Sequence, residues 1–250
     1  MSCAYIAFTE TGLKLAESLT FSHPGSISRG GKNGVKLSDW TSENFQKSDA
    51  LIFIGAVGIA VRAIAPHCKS KATDPAVIVL DERGRFSIPI LSGHLGGAND
   101  LAKKLASICG AVPVITTATD VEGVFAVDEW AKAQNCHVLE PERIKTVSST
   151  LLAGKVVYYD SQWKITGTQP ENVFPADENH QADFSVTLHP QSDALHLVPE
   201  ICVLGVGCKR GTSAEHIEAT FKQFCKERKN KSGNCSRNRF IRSQSRWEGK

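Results

Sequence analysis

Short apolar runs rich in Ile and Val alternate, through the first 130 residues, with segments whose apolar side chains recur at helical spacing. That alternation limits the chain to an α/β architecture, in which a mostly parallel sheet is covered by helices. The pattern predicts strands over 5–8, 51–54, 76–80 and 112–116, and a shorter, edge-like strand over 86–91, where Pro89 removes a ladder donor. It predicts helices over 11–19, over 56–65 (closed by Pro66) and over 99–108, where Leu101, Leu105 and Ile108 fall on one face. Beyond Trp130 the periodicity loosens into short pieces separated by polar loops. Residues 201–205 then begin another strand, and Thr212-Ser-Ala-Glu215 reads as a capping box opening a helix to about residue 225. The organisation expected is an N-terminal α/β domain (1–130) with a parallel-rich sheet and flanking helices. A small α+β middle module (131–198), the start of a second α/β domain (199–225) and a basic, disordered tail (226–250) follow.

With 41% hydrophobic and 22% charged residues, the chain has the makings of an ordinary packed core. No apolar run approaches the roughly 18–20 residues a bilayer requires. The N-terminus has no basic stretch ahead of an apolar signal segment, so the expected address is the cytoplasm and no membrane partner is expected. The eight cysteines include no Cys-x-x-Cys and no Cys/His cluster at zinc spacing, so buried free thiols are expected and no metal site. Residues 226–250 hold nine of the 29 Lys and Arg against Glu227 and Glu248, which leaves the rest slightly acidic. The folded body therefore offers nucleic acid no basic surface.

Three strand-to-loop junctions carry the residue types that chemistry needs. Ligands of open α/β sheets bind beyond the carboxyl ends of strands. In Gly55-Ala-Val-Gly-Ile-Ala-Val-Arg62, Gly55 and Gly58 permit a tight turn into a helix N-terminus, an anion site or merely a turn. In Leu91-Ser-Gly-His-Leu-Gly-Gly-Ala-Asn-Asp100, small and polar residues (Ser92, Gly96, Gly97, Asn99) surround His94, at a cost in helix stability that suggests close approach by a ligand. The third junction, Ile115-Thr-Thr-Ala-Thr-Asp120 continuing to Phe125-Ala-Val-Asp-Glu-Trp130, holds three threonines (Thr116, Thr117, Thr119) and three carboxylates (Asp120, Asp128, Glu129). It reads either as a substrate-protonating set or as a capped first helical turn. Lys69, Lys71, Asp74, Asp81, Arg83 and Arg85 make a polar loop set.

Taken in order, Gly55-Ala-Val-Gly-Ile-Ala-Val-Arg-Ala-Ile-Ala-Pro66, Lys71, Asp74-Pro-Ala-Val77, Ser92-Gly-His-Leu-Gly-Gly-Ala-Asn99 and Val114-Ile-Thr-Thr-Ala-Thr-Asp120 resemble the N-terminal domain of CbiG proteins. Asp128-Glu-Trp-Ala131 continues the likeness, and Gly205-Val-Gly-Cys-Lys-Arg-Gly-Thr-Ser213 is similar to the opening of that family's C-terminal domain. The resemblance implies a cobalt-precorrin-5A hydrolase of anaerobic cobalamin biosynthesis. Such an enzyme opens the substrate's δ-lactone and releases acetaldehyde, giving cobalt-precorrin-5B. It implies no cofactor, because the cobalt arrives inside the tetrapyrrole, and it allows contacts with neighbouring pathway enzymes.

In that setting His94 is expected to act as general base on water or as an axial cobalt ligand. Asp120 or Asp128 would orient it, and N–H groups near Gly96 and Gly97 would hold an oxyanion. Arg62 and Lys71 would pair with the macrocycle's carboxylate arms. Gly55, Gly58, Ser92, Asn99, Thr116 and Thr117 would complete the substrate contacts. All three junctions are expected in one cleft. The competing classes are a non-catalytic corrinoid-binding protein, a nucleotide-binding protein and a nucleic-acid binder working through the tail. The absence of Gly-x-Gly-x-x-Gly and of Gly-x-x-x-x-Gly-Lys-Ser/Thr speaks against the nucleotide reading.

The resemblance fades after Phe221. CbiG proteins carry a C-terminal segment of the type Ala-Ser-Ile-Asp-Leu-Lys-Ala-Asp-Glu. Codons can be chosen for Arg242-Ser-Gln-Ser-Arg-Trp-Glu248 that, read one base later, encode Asp-Leu-Lys-Ala-Asp-Gly. The tail is therefore expected to follow a shift of reading frame between residues 222 and 240. Sequencing the gene tests this: the other frame must continue the family's C-terminal domain.

Overall fold

The computed structural model describes residues 1–70, 73–190, 192–201, 207–209 and 211–229. Lys71 and residues 230–250, with most of the basic tail, lie outside the described residues.

The first sheet contains β1 (Cys3–Ala7), β2 (Ser26–Arg29), β3 (Ala50–Ile54), β4 (Ala76–Leu80), β5 (Phe86–Leu91) and β6 (Val112–Pro113), in the order β2-β1-β3-β4-β5-β6. The strands β1 to β4 run parallel. Every residue of β1, β3 and β4 is buried, as two covered faces require. One face carries α1 (Glu10–Ser22) and, later in the chain, the helix Ala98–Cys109. Alternate strand residues Tyr5, Ile52, Ile54, Ile78 and Leu80 pack there against Leu19, Leu101 and Leu105. The other face carries α2 (Leu37–Lys47) and α3 (Val57–Ile64), where Ile6, Phe53 and Val79 meet Trp40, Phe45 and Ile64. The helix Ala98–Cys109 is α4 below.

β5 reverses the direction. It pairs antiparallel with β4, Leu80 opposite Ser87 and Val77 opposite Leu91. The tight turn between them is held by the Asp81 carboxylate, which accepts from the backbone N–H groups of Arg83, Arg85 and Phe86. β6 follows β5 in parallel but covers only Phe86 and Ser87, so Pro89 sits beyond it, on an open edge. The carboxyl ends of β5 and β6 consequently lie at the amino-terminal edge of β1, β3 and β4. This corrects the expectation of a single cleft. Gly55, Gly58 and Arg62 follow β3 at the opposite edge, where the Gly55 N–H donates to the Leu80 carbonyl at 2.8 Å.

The helices α5 (Ala118–Glu122) and α6 (Val127–Ala133) lead into a second sheet, which is more regular than the expected α+β module. Its strands are β7 (Cys136–Val138), β8 (Val157–Ser161), β9 (Val173–Pro175), β10 (Phe184–Val186) and β11 (Leu195–Pro199), in the order β7-β11-β10-β8-β9. All pairs but β7–β11 are parallel. Val157, Phe184, Val186, Leu195 and Leu197 form its apolar face, against Val127 and Ala131 of α6 and Ile144, Val147 and Leu151 of α7 (Ile144–Leu152). The last described element is α8 (Ala214–Lys229). Its cap is Ser213, whose Oγ accepts from the His216 N–H, while Thr212 bonds to the Lys209 carbonyl instead. No helix among the described residues is long and apolar enough to cross a membrane.

Candidate active site

The segment 92–97 leaves β5 and folds back on itself before α4. The N–H groups of Gly97, Ala98 and Asn99 donate to the carbonyls of His94, Ser92 and Gly93. Those donors are therefore used within the loop, and the expected oxyanion site at Gly97 is not available. What the glycines supply is room. Gly97 adopts φ +81°, and a Cβ on Gly96 would stand 2.4 Å from the Ser92 Cβ and 2.7 Å from its carbonyl oxygen. The Ser92 hydroxyl in turn donates to the Asp74 carbonyl at 2.9 Å, tying the loop to the entrance of β4. Replacing Gly96 by alanine is expected to destabilise the fold by about 1–3 kcal/mol, the usual cost of forcing an atom into packed space. In a chain of this length that lowers the melting temperature by about 2–4 °C per kcal/mol, which a thermal melt reads directly.

This loop delivers His94 into a nest of carboxylates. Its Nδ1 lies 3.2 Å from Asp128 Oδ2 and its Nε2 2.9 Å from Asp120 Oδ2. Glu129 Oε1 is 3.5 Å from Nε2, and the Thr119 hydroxyl stands at the same distance. Asp120 comes from the first turn of α5, Asp128 and Glu129 from the first turn of α6, where negative charge also suits the helix N-termini. The Asn99 amide donates to Thr117 Oγ1 and to Asp120 Oδ2, both at 3.0 Å, and Lys103 reaches Asp120 Oδ1 at 3.1 Å. Leu95, next to His94, packs with Val124, Phe125 and Trp130 on the second core, so the cluster occupies the junction of the two sheets.

The sequence-derived residues thus divide. His94, Asp120, Asp128, Asn99 and Thr117 meet in one network, and Ser92, Gly96 and Gly97 shape the loop that carries it. Thr116 is exposed nearby. Gly55, Gly58 and Arg62 are at the far edge of the sheet. Thr119 and Glu129 of the third junction belong to the network as well. Lys103 also belongs to it and lies outside the three junctions; its signal is helical, since it follows Asn99 by four residues.

The electrostatics follow from this packing. Burial disfavours the His94 cation, but hydrogen bonds to Asp128 and Asp120 and the charges of Asp128 and Glu129 outweigh it, lifting the imidazole pKa to about 9. His94 is therefore an imidazolium at neutral pH, with both N–H groups given to carboxylates. An imidazolium has no lone pair for water, so the expectation of a histidine general base does not fit this arrangement. Burial also opposes ionisation of Asp120, yet His94 and Lys103 hold its pKa below the ordinary carboxylate value. Glu129 is pushed the other way, first by burial and then by Asp120 and Asp100. An acid held charged beside a carboxylate of raised pKa is a pairing suited to proton transfer. The ligand atoms of His94, Asp120 and Glu129 also lie within 4.8 Å of one another, the span of a metal-ligand set. The Lys103 ammonium on Asp120 already supplies positive charge there.

Residues 39–120 match the family model described as Cobalamin synthesis G N-terminal, a span that includes His94 and Asp120. The chain is 42% identical over 183 residues to a cobalt-precorrin-5A hydrolase of Salmonella typhimurium, covering 67% of this chain and 52% of that one. It is 31% identical over 204 residues to a cobalt-precorrin-5A hydrolase of Priestia megaterium, covering 73% and 54%. A solved structure of a cobalamin biosynthesis protein G homologue from Sulfolobus solfataricus aligns with a TM-score of 0.49 at 22% identity, over 90% of this chain and 69% of that one. The chain spans about half the length of the curated relatives it matches.

Proposed function

Because the chain belongs to the CbiG family, we propose that it serves cobalamin biosynthesis as a cobalt-precorrin-5A hydrolase, with the His94 cluster as its reacting site. The observation that carries this reading is the His94 ring held between Asp120 and Asp128, beside the more open Glu129 carboxylate. Opening a δ-lactone requires a water made nucleophilic, stabilisation of charge on the carbonyl oxygen and a proton for the departing alkoxide. Glu129, whose pKa burial raises, takes the proton from water. His94 gives its proton to the oxygen that leaves. Asp128 holds the imidazole in place, and Lys103 with Asn99 keeps Asp120 ionised, so that the imidazolium persists. The freed hydroxyl of the opened product then gives up its proton, the bond joining the two-carbon fragment to the macrocycle breaks to release acetaldehyde, and the macrocycle carbon that keeps the electron pair takes a proton. The reaction takes place in the cytoplasm and needs no redox cofactor, since the cobalt enters with the tetrapyrrole. Lys103 replaces Arg62 as the cation nearest the reacting atoms for a carboxylate arm of the macrocycle.

Incubation with cobalt-precorrin-5A tests the reading: acetaldehyde and the opened macrocycle are expected in equal amounts. Binding without turnover would instead identify a corrinoid carrier. Within this reading Glu129→Gln is expected to lower kcat by about 100-fold, the scale of a lost general base, with little change in KM. The pH–rate profile of the unaltered protein should be bell-shaped. Its acid limb should lie above the ordinary glutamate value and its alkaline limb near pH 9, where His94 loses its proton. Glu129→Gln should abolish the acid limb alone.

A further inference from the structure

We propose that Ser192, His196 and Glu140 form a nucleophile–base–orienter triad, a second site of acyl-transfer chemistry whose substrates are esters or lactones. It goes beyond the reading above and involves none of its residues.

Strand alternation gives the second sheet two unlike faces. Val157, Tyr159, Phe184, Val186, Leu195 and Leu197 point into the apolar core. The intervening residues Asp160, Ser185 and His196 stand in register across β8, β10 and β11 on the other face. That polar face floors a cavity of about 1150 Å³, which Ser192 also lines.

Within it, His196 Nδ1 lies 3.1 Å from Glu140 Oε1 and its Nε2 lies 3.2 Å from the Ser192 hydroxyl. An ionised carboxylate only accepts, so Nδ1 carries the ring proton and Nε2 presents a lone pair to the serine. Glu140 is fixed a second time by the His196 backbone N–H, at 3.0 Å. The Ala194 N–H donates to Ser192 Oγ at 3.3 Å, which leaves the hydroxyl hydrogen for His196. His196 is buried while Ser192 is exposed, the placement a base and a nucleophile need. Both spacings are those of an activated serine.

An independent feature points to a ligand in the same cavity. Ser185 is 6% exposed, and its hydroxyl has no hydrogen-bond partner among the described residues. A buried donor left unpaired costs about 1–3 kcal/mol, a cost that a carbonyl or ring oxygen lying on the sheet face beside His196 would remove.

The reaction balances with water as the second substrate. Ser192 Oγ bonds to the acyl carbon as His196 Nε2 takes its proton, and the ester carbon–oxygen bond breaks as His196 returns that proton to the leaving alkoxide. Water then attacks the acyl-serine, its proton passes through His196 to Oγ, and the acid departs.

A fluorophosphonate, which phosphonylates activated serines, tests the triad on the full chain with peptide mapping by mass spectrometry. A single adduct on Ser192 is expected, absent from Ser192→Ala and formed at least about 100-fold more slowly in His196→Gln. Glu140→Gln serves as the second variant if His196→Gln fails to fold, and should also slow labelling. No adduct at Ser192, or equal rates with and without His196 and Glu140 in folded protein, overturns the proposal. The probe has no corrin ring, so its failure leaves the His94 reading untouched, and failure with cobalt-precorrin-5A leaves the triad untouched.

Discussion

His94→Ala is expected to lower acetaldehyde release by at least about 100-fold, the usual contribution of a proton-transfer group, and to weaken the fold as well. The second effect follows from what surrounds the ring. Asp128 is 4% exposed, and removing its cationic partner leaves a buried carboxylate with no counter-charge and only the Glu129 backbone N–H as donor. Breaking such a pair costs about 3–5 kcal/mol, so His94→Ala must be accompanied by a variant that separates rate from stability. His94→Gln retains an amide donor for one carboxylate and removes the transferable proton. It should melt closer to the unaltered protein and remain as slow as His94→Ala. Near-normal turnover in folded His94→Gln protein would reject the role. Loss of substrate binding together with a change in the cobalt spectrum would indicate axial ligation instead.

The second large effect is a fall in stability on the alkaline side. The folded-state pKa of His94, about 9, lies above the unfolded value of 6.5. The folded state therefore binds a proton that the unfolded chain releases. The stabilisation is complete below pH 6.5 and is lost as pH rises through 9. At 1.36 kcal/mol per unit of difference, the loss approaches about 3 kcal/mol. Denaturant melts at pH 6.5 and pH 9.5 should show a drop of that order, and Asp128→Asn should reduce it by removing the strongest interaction that favours the cation. An unchanged midpoint across this window would mean that the imidazole is not clamped.

Much of the first sheet was legible because its strands are long enough to declare a pattern. Residues 50–54 and 76–80 are wholly buried and read as unbroken apolar runs. The direction of β5 is written in the length of the connection that precedes it. Only residues 81–85 separate it from β4, and a parallel crossover needs a dozen residues or more. That one count would have moved the 92–100 loop to the opposite edge from Gly55 and withdrawn Arg62 from the site. The second sheet was hidden for another reason. β9 and β10 are three residues long, too short for alternation to stand out. The meeting of His94 with Asp120 and Asp128 follows from their placement after neighbouring strands. The charge state of His94 does not, since it depends on two carboxylates reaching opposite nitrogens of one ring.

Single turnover of cobalt-precorrin-5A in ¹⁸O-water shows whether the proposed His94 site directs water onto the lactone carbonyl. Acetaldehyde exchanges its oxygen with solvent, so the macrocyclic product is the species to weigh. One ¹⁸O is expected in the newly freed carboxylate, formed together with acetaldehyde and not formed by His94→Gln protein. Acetaldehyde without label in that carboxylate would place bond cleavage on the alkyl side of the lactone oxygen, and labelled product from the His94→Gln protein at the normal rate would place the chemistry elsewhere; either result rules out His94 as the proton donor of a water-driven lactone opening.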